Sequence, residues 1–230
     1  NLSEVIDGLV KIIDNRILEN RDTDIDELCS IIKGPDFPTG GNILGKAGIL
    51  SAYRTGRGRI KLRAKTEIIT KPNGREEILI TEIPYQVNKS RMIEGIAELV
   101  KDKRVEGISG IQDSTNDRNG IHILIEVKKD ASAEIVLNNL FKYSQLQENY
   151  SINFLAIVDG IPKVLNLKEM LEHYLKFQEE VVTRRTRFDL KKALERMHIL
   201  EGFLRALDNI DEVISILRGS HTTAEAKSRL

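Results

Sequence analysis

Seven basic residues lie between positions 37 and 66 without one Asp or Glu among them, although the whole chain carries 35 basic and 35 acidic residues. The seven are Lys46, Arg54, Arg57, Arg59, Lys61, Arg63 and Lys65. A stretch of one charge sign in a chain of zero formal net charge concentrates positive potential in one place, and its commonest partner is a phosphate backbone. The sequence therefore predicts a nucleic-acid-binding surface here.

The second half of this stretch alternates between basic and apolar residues. In a strand, four cations would point to one side and the four residues that alternate with them to the other. The cations are Arg59, Lys61, Arg63 and Lys65, and the alternating residues are Ile60, Leu62, Ala64 and Thr66. The solvated outer face of a hairpin is the alternative that such a strand alone leaves open. Just upstream, the glycines of YRTGRGR remove side chains beside the arginines, and we interpret this as room for a phosphate to approach the backbone.

The segment before these arginines is predicted to be a shaped loop. Residues 34–48 hold two of the five prolines and five glycines, which disfavour both a helix and a long strand. The loop carries two adjacent apolar residues, Ile43 and Leu44. From the residues alone, these two side chains fill a small core under a hairpin.

The elements around the basic stretch predict an α+β fold. Helices are predicted at 2–14, from about 24, and at 48–55, 88–103 and 132–143. Strands are predicted at 59–70, 76–83, 107–112, 121–128, 154–158 and 162–165, with Asn73 and Gly74 forming the turn of the first hairpin. Hairpins outnumber crossovers, so the sheet should be mainly antiparallel and backed by helices.

A different pattern begins at Asn166, which forms a capping box with Glu169. No Gly or Pro follows until Gly202, so a single helix of about 40 residues is expected, followed by shorter helices. Its apolar stripe needs a partner, as in a coiled coil. On this helix Arg184, Arg185 and Arg187 form a basic cluster for which pairing with nearby Glu179, Glu180 and Asp189 is favoured over DNA contact.

Three separated runs carry a family resemblance. They are GPDFPTGGNILGKAGILSAYRTGRG, TEIPYQVNKSRMIEGIAELVKDKRVEGI and EVVTRRTRFDLKKALERMHILEG. In this order they closely resemble the A subunits of the bacterial type IIA topoisomerases, DNA gyrase first and topoisomerase IV as the nearer alternative. The runs YQVNK and FLAIVDG favour gyrase.

The resemblance implies ATP-dependent passage of one DNA duplex through a transient double-strand break in another. The A subunit would form a homodimer and join the B subunit in an A2B2 assembly, in which the B subunit would bind ATP and Mg²⁺. In this chain we expect a helical lead-in at 1–34, an α+β tower domain at 35–165 and the start of a coiled-coil arm at 166–230. No cofactor or metal is expected within the chain itself.

The resemblance also implies roles for individual residues. Ile43 would enter between stacked base pairs and bend the duplex, while Leu44 stays in the core. The candidates for contacts with DNA phosphates are Lys46, Arg54, Arg57, Arg59, Arg63 and Lys89. Such contacts position DNA without reading its sequence.

The residue that cuts DNA in this family is a tyrosine in a short RYT motif, which this chain lacks. The five tyrosines are Tyr53, Tyr85, Tyr143, Tyr150 and Tyr174, and none follows an Arg in that context. The chain resembles an excerpt of a longer protein. We expect no catalytic residue in it and no cleavage activity from it alone.

The composition weighs against several other classes of protein. We find no run of about 18 apolar residues and no signal peptide, so the expected location is the cytoplasm. The single Cys29 forms no internal disulfide, and the four histidines are too far apart in sequence to indicate a metal site. A more distant alternative is a non-enzymatic α+β scaffold that recruits a protein partner through its coiled coil.

Overall fold

The computed structural model describes residues 1–72, 74–116, 118 and 120–230. The chain forms two compact units, residues 1–172 and 173–230. The predicted division at residues 34 and 165 stays a prediction. Asn73, predicted to form a hairpin turn, lies outside the described residues, while its neighbour Gly74 has the positive φ of 76° that such a turn requires.

The first unit combines helices with antiparallel sheets, and this confirms the predicted α+β class. Its helices are α1 (Leu2–Ile17), α2 (Ile25–Ile31), α3 (Ala47–Thr55), α4 (Lys89–Lys101) and α5 (Ala133–Tyr143). Its strands are β1 (Asn42–Leu44), β2 (Arg57–Arg63), β3 (Lys65–Thr70), β4 (Glu76–Glu82), β5 (Ile108–Asp113), β6 (Ile123–Val127), β7 (Gln147–Asn153), β8 (Leu155–Val158) and β9 (Ile161–Val164). They form sheets in the orders β1-β2-β7, β3-β4-β6-β5 and β8-β9.

The predicted single strand at 59–70 is wrong, because the chain changes sheets in its middle. β2 belongs to the three-stranded sheet and β3 to the four-stranded sheet. Between them Ala64 is 1% exposed, and its N–H donates to the carbonyl of Leu146 at 2.8 Å. The pairing register also shifts between Lys65 and Thr66.

The four-stranded sheet and helices α4 and α5 enclose the main hydrophobic core. Ile78, Ile80, Ile123 and Ile125 are all completely buried in the two central strands. The helices contribute Met92, Ile96, Val136 and Leu140 to the same cluster. Burying each of these large aliphatic side chains stabilises the fold by about 1.5–3 kcal/mol, so this core fixes the ends of the strands that carry the surface loops.

Helix α3 lies directly on β2 because two glycines face each other there. A Cβ on Gly48 would lie 2.0 Å from the carbonyl oxygen of Arg59, and one on Gly58 would lie 2.3 Å from that of Gly48. Gly58 therefore serves helix packing on the inner side of the sheet, and its interpretation as an opening for phosphate is wrong. Gly56 ends α3 with a φ of 75°, the left-handed conformation that glycine adopts readily.

The predicted long helix is confirmed as α6 (Leu167–Asp208), a helix of 42 residues. The predicted capping box opens it, since the N–H of Asn166 donates to Glu169 at 2.8 Å and that of Glu169 donates to Asn166 at 2.9 Å. In the second unit α6 is followed by α7 (Ile210–Gly219) and α8 (Thr223–Arg229). Large apolar side chains such as Phe188 and Phe203 are more than half exposed, which fits one arm of a coiled coil.

The ion pairs predicted for Arg184, Arg185 and Arg187 are wrong. Within the described part of α6, none of these three side chains has a carboxylate within ion-pair distance, and Lys191 with Glu195 at 3.9 Å is the nearby pair that forms. Of the predicted partners, only Glu180 precedes an arginine by the favourable four residues. In the described ranges, no helix combines the length and apolar character needed to cross a lipid bilayer.

Candidate nucleic-acid interface

The outer face of the three-stranded sheet is basic. Arg57, Arg59 and Lys61 of β2 are exposed, while Ile60 and Leu62 between them are 2% and 1% exposed. This is the alternation expected from the sequence. The apolar residues hold the strand against the protein interior, so the cations must face outward.

Neutral polar residues flank these cations on the neighbouring strand β7. Its register places Gln147, Asn149, Ser151 and Asn153 opposite Arg63, Lys61, Arg59 and Arg57. Residues directly opposite in an antiparallel pair share a face. Within the part of the chain that the structure describes, this basic face, consisting of the β2 cations and the residues opposite them, carries no carboxylate.

The sequence interpretation missed this polar row. QENYSIN has a weak alternation in which Tyr150 and Ile152 are the more buried positions, and its partner strand lies about 90 residues earlier in the chain. The alternation is the signal that could have indicated a strand. Amide and hydroxyl side chains are common hydrogen-bonding partners of DNA phosphates and sugars, so this row extends the candidate interface.

Five of the six predicted phosphate-binding residues fall into two groups. Among the described residues, Lys46, Arg57 and Arg59 are exposed and form no ion pair. The same is true of Lys61, which was not among the candidates. Arg54 is paired with Asp26, with Nη2 and Oδ1 2.7 Å apart, and the Nζ of Lys89 lies 2.5 Å from Oδ2 of Asp113. These two carboxylates compete with a phosphate for Arg54 and Lys89.

The pKa values of these pairs follow from the same contacts. The hydrogen bond from Lys89, supported by Thr115, lowers the pKa of Asp113 to about 2. The hydrogen bond to Asp26 raises the pKa of Arg54 above its ordinary value. Each contact therefore favours the charged form, of the Asp113 carboxylate in one pair and of the Arg54 guanidinium in the other.

Arg63 is held in place rather than free. Its guanidinium donates twice to Oε1 of Gln147, at 2.9 and 2.6 Å, and lies 4.3 Å from the centre of the Phe141 ring. A cation between an amide and an aromatic ring keeps its charge but loses freedom of movement. Arg63 can present that charge at one fixed point of the face.

The two apolar residues of the loop lie on opposite sides of β1. Ile43 pairs opposite the buried Leu62 and is half-buried, and it lines an open hollow of about 510 Å³ together with Pro35. Leu44 pairs opposite Lys61 and is 37% exposed, so it lies on the basic face. The prediction that Leu44 stays in the core is wrong, and the wedge role of Ile43 stays a prediction.

Three aromatic rings anchor the loop that precedes Ile43. The ring of Phe37 lies 5.4 Å from that of Tyr85 and 5.2 Å from that of Tyr150, which are themselves 5.9 Å apart. Edge-to-face and tilted contacts of this kind are worth about 0.5–1.5 kcal/mol each beyond the buried area. The loop is thus attached to β7 on one side and to the segment after β4 on the other.

Two observations concern metal ligands and Tyr53. No cluster of three His, Cys, Asp or Glu side chains among them is arranged to hold a metal ion. Burial raises the pKa of Tyr53 to about 12, which opposes the ionisation that a nucleophile needs.

Comparison with known proteins gives matches over the whole chain. Residues 1–230 match the family of the DNA gyrase/topoisomerase IV A subunits. The chain is 59% identical to the DNA gyrase A subunit of Clostridium acetobutylicum over 227 residues, which are 99% of this chain and 27% of that protein. It is 55% identical to the Halalkalibacterium halodurans protein of the same name and 54% identical to that of Pseudomonas aeruginosa, covering 27% and 24% of them and all of this chain.

The chain thus spans about a quarter of the length of the curated relatives it matches. The match covers the basic stretch, the loop with Ile43 and the long helix alike, because it extends from the first residue to the last. The protein accordingly belongs to the family of DNA gyrase/topoisomerase IV A subunits.

Proposed function

We propose that this chain is the region of a type IIA topoisomerase that grips and bends the gate duplex, the DNA segment that the enzyme cuts. The observation that carries this proposal is the basic face, with four cations on β2, a neutral polar row on β7 and no carboxylate in the described residues of either strand's outer side. Its charge fits a phosphate backbone better than a protein surface, which would offer both signs.

The spacing of the cations supports binding along one DNA strand. Alternate residues of an antiparallel strand are about 6.8 Å apart, and one strand of B-DNA presents a phosphate about every 3.4 Å along the helix axis. Because that DNA strand also winds around the axis, neighbouring phosphates are separated in space by roughly twice this rise, so successive cations can meet successive phosphates. Contacts of this type would hold the duplex without selecting a sequence, as an enzyme that acts at many sites requires.

Bending the duplex requires an apolar side chain that enters between base pairs, the wedge, as well as contacts with phosphates. We assign the wedge to Ile43, as the family resemblance implies. An apolar side chain that enters a base step from the minor groove unstacks it at a cost of a few kcal/mol, which further contacts along the bent DNA offset. Leu44 is the rival residue, because it lies on the basic face.

The remaining functions belong to the whole enzyme. Two A subunits would form a homodimer and assemble with two B subunits as A2B2 in the cytoplasm, and the B subunits would bind ATP and Mg²⁺ during double-strand passage. Gyrase and its negative supercoiling are favoured over topoisomerase IV by the names of the relatives reported above. The described residues of this chain contribute the grip, the bend and the helical arm.

Duplex binding tests the proposal. Fluorescence anisotropy should show this chain binding two duplexes of unrelated sequence with similar affinity, and the affinity should fall steeply as salt rises. If no binding is detected at low salt, the alternative of a protein-recruiting scaffold is favoured instead.

A further inference from the structure

Glu82 connects the four-stranded sheet to the three-stranded sheet through the loop that carries Ile43. It is the last residue of β4, and its Oε2 accepts a hydrogen bond from the backbone N–H of Gly41 at 2.5 Å. Gly41 lies two residues before Ile43. The other oxygen, Oε1, lies 3.1 Å from Nζ of Lys65. A carboxylate of the four-stranded sheet therefore fixes the backbone where β1 begins.

The loop is shaped to receive this carboxylate. Gly40 has a φ of 69° and Gly41 a φ of 88°, a conformation that other residues rarely adopt. A Cβ on Gly40 would lie only 2.2 Å from Oε2 of Glu82, and one on Gly41 would lie 3.1 Å from the carbonyl oxygen of Arg63. Glycine at both positions therefore fits this contact and the left-handed backbone without displacing a neighbour.

Glu82 also explains why Lys65 is not part of the basic face. Its ion pair draws this lysine toward β4, away from the cations of β2. The hydrogen bond from Gly41, and then that from Lys65, lower the pKa of Glu82. The side chain is therefore ionised near neutral pH, and a hydrogen bond to an ionised acceptor is roughly twice as strong as a neutral one.

We propose that Glu82 is a positioning residue that holds the Ile43 loop beside the basic face and thereby sets how far bound DNA is bent. This assignment rests on the proposed DNA-bending function. Arg57, Arg59 and Lys61 grip the duplex from β2 and do not touch Glu82. Loss of the carboxylate should therefore reduce bending much more than it reduces binding.

The test uses Glu82→Gln and Gly40→Ala in the full-length protein. The first keeps the side-chain length and removes the charge. The second displaces the carboxylate, and strains the loop backbone at its φ of 69°, without changing any charge. The matched control is Glu76→Gln, since Oε2 of Glu76 accepts from the N–H of Ala133 at 3.0 Å at the opposite end of the same strand. Bending is measured by fluorescence transfer between dyes at the two ends of a duplex, affinity by anisotropy, and folding by thermal melting.

We expect Glu82→Gln and Gly40→Ala each to lower the ratio of bent to unbent complex about tenfold, the effect of losing one charge-assisted hydrogen bond. Affinity for an already bent or nicked duplex should change less than about twofold, because the phosphate contacts remain. Glu76→Gln should leave the bend unchanged even if it lowers the melting temperature.

Two outcomes would overturn the assignment. Normal bending by both loop variants would show that Glu82 does not set the bend. Equal losses of bending and affinity in all three variants would show a merely structural role. If instead the unaltered protein binds no duplex, the proposed function itself fails, and that result is distinct because it needs no variant.

Discussion

The salt dependence of DNA binding gives the sharpest test of the basic face. Replacing Arg57 and Arg59 together by Ala removes two exposed cations that form no ion pair among the described residues. Each neutralised phosphate contributes about 0.9 to the slope of log affinity against log salt. If all four β2 cations contact phosphates, the slope is about 3.6, and the double variant should retain about 1.8.

These slopes translate into a measurable difference. Between about 50 and 200 mM salt, the unaltered protein should lose roughly 150-fold in affinity and the double variant only roughly 12-fold. Anisotropy titrations at several salt concentrations, on two duplexes of unrelated sequence, give both values. The matched controls are Arg54→Ala, whose guanidinium is already paired with Asp26, and Lys129→Ala, an exposed cation that follows β6 in the other sheet.

The result that refutes this reasoning is an unchanged slope in the double variant. A loss confined to one of the two sequences would also contradict it, because it would indicate contacts with bases rather than phosphates. A control slope that falls as far as that of the double variant would show that positive charge acts from anywhere on the protein, and not from the basic face.

Three further predictions concern the loop, the packing of α3 and the ion pair of Lys89. Ile43→Ala should still bind duplex DNA but bend it less in a fluorescence-transfer assay, since the unstacking wedge is lost. If Ile43→Ala bends DNA as strongly as the unaltered protein and Leu44→Ala does not, the wedge is Leu44 instead. Gly48→Ala should lower the melting temperature by several degrees, because its Cβ would lie 2.0 Å from a backbone oxygen of β2 and such overpacking costs about 1–3 kcal/mol. The control is Gly95→Ala, at an open position within α4, which should raise the melting temperature slightly. Equal effects of the two changes on the melting temperature would contradict the close contact of α3 with β2 at Gly48. Because the pKa of Asp113 is lowered to about 2, its pair with Lys89 stabilises the fold fully above the ordinary value of 3.8 and ceases to do so as the pH falls through about 2. Asp113→Asn should therefore lower the melting temperature near neutral pH but not at a pH near or below the pKa of Asp113, about 2. A melting temperature lowered equally at every pH would exclude the ion pair as the cause.

Local signals in the sequence predicted much of the fold. Asn88 caps α4, because its Oδ1 accepts a hydrogen bond from the N–H of Arg91 at 3.0 Å, and the capping box at Asn166 opens α6 as expected. The hairpin of β3 and β4 was likewise visible from its turn and its two apolar runs. These features depend on residues that are near one another in sequence, where periodicity and capping residues are informative.

Contacts between distant residues account for what was missed. β7 pairs with β2 across about 90 residues, so the polar row that completes the basic face had no local sign beyond a weak alternation. The partner of Arg54 lies 28 residues away and that of Lys89 lies 24 residues away. The sequence identified these cations as candidates, but only the fold shows that carboxylates already hold them.

The abrupt change of sheet at Ala64 has a mechanical consequence. A single buried residue joins the last cation of β2 to the first residue of β3, and its N–H is itself tied to Leu146. The connection between the two strands is this one residue. If the duplex is bent as proposed, its recoil would pull on β2, and the load would pass along the covalent chain into the core of the four-stranded sheet.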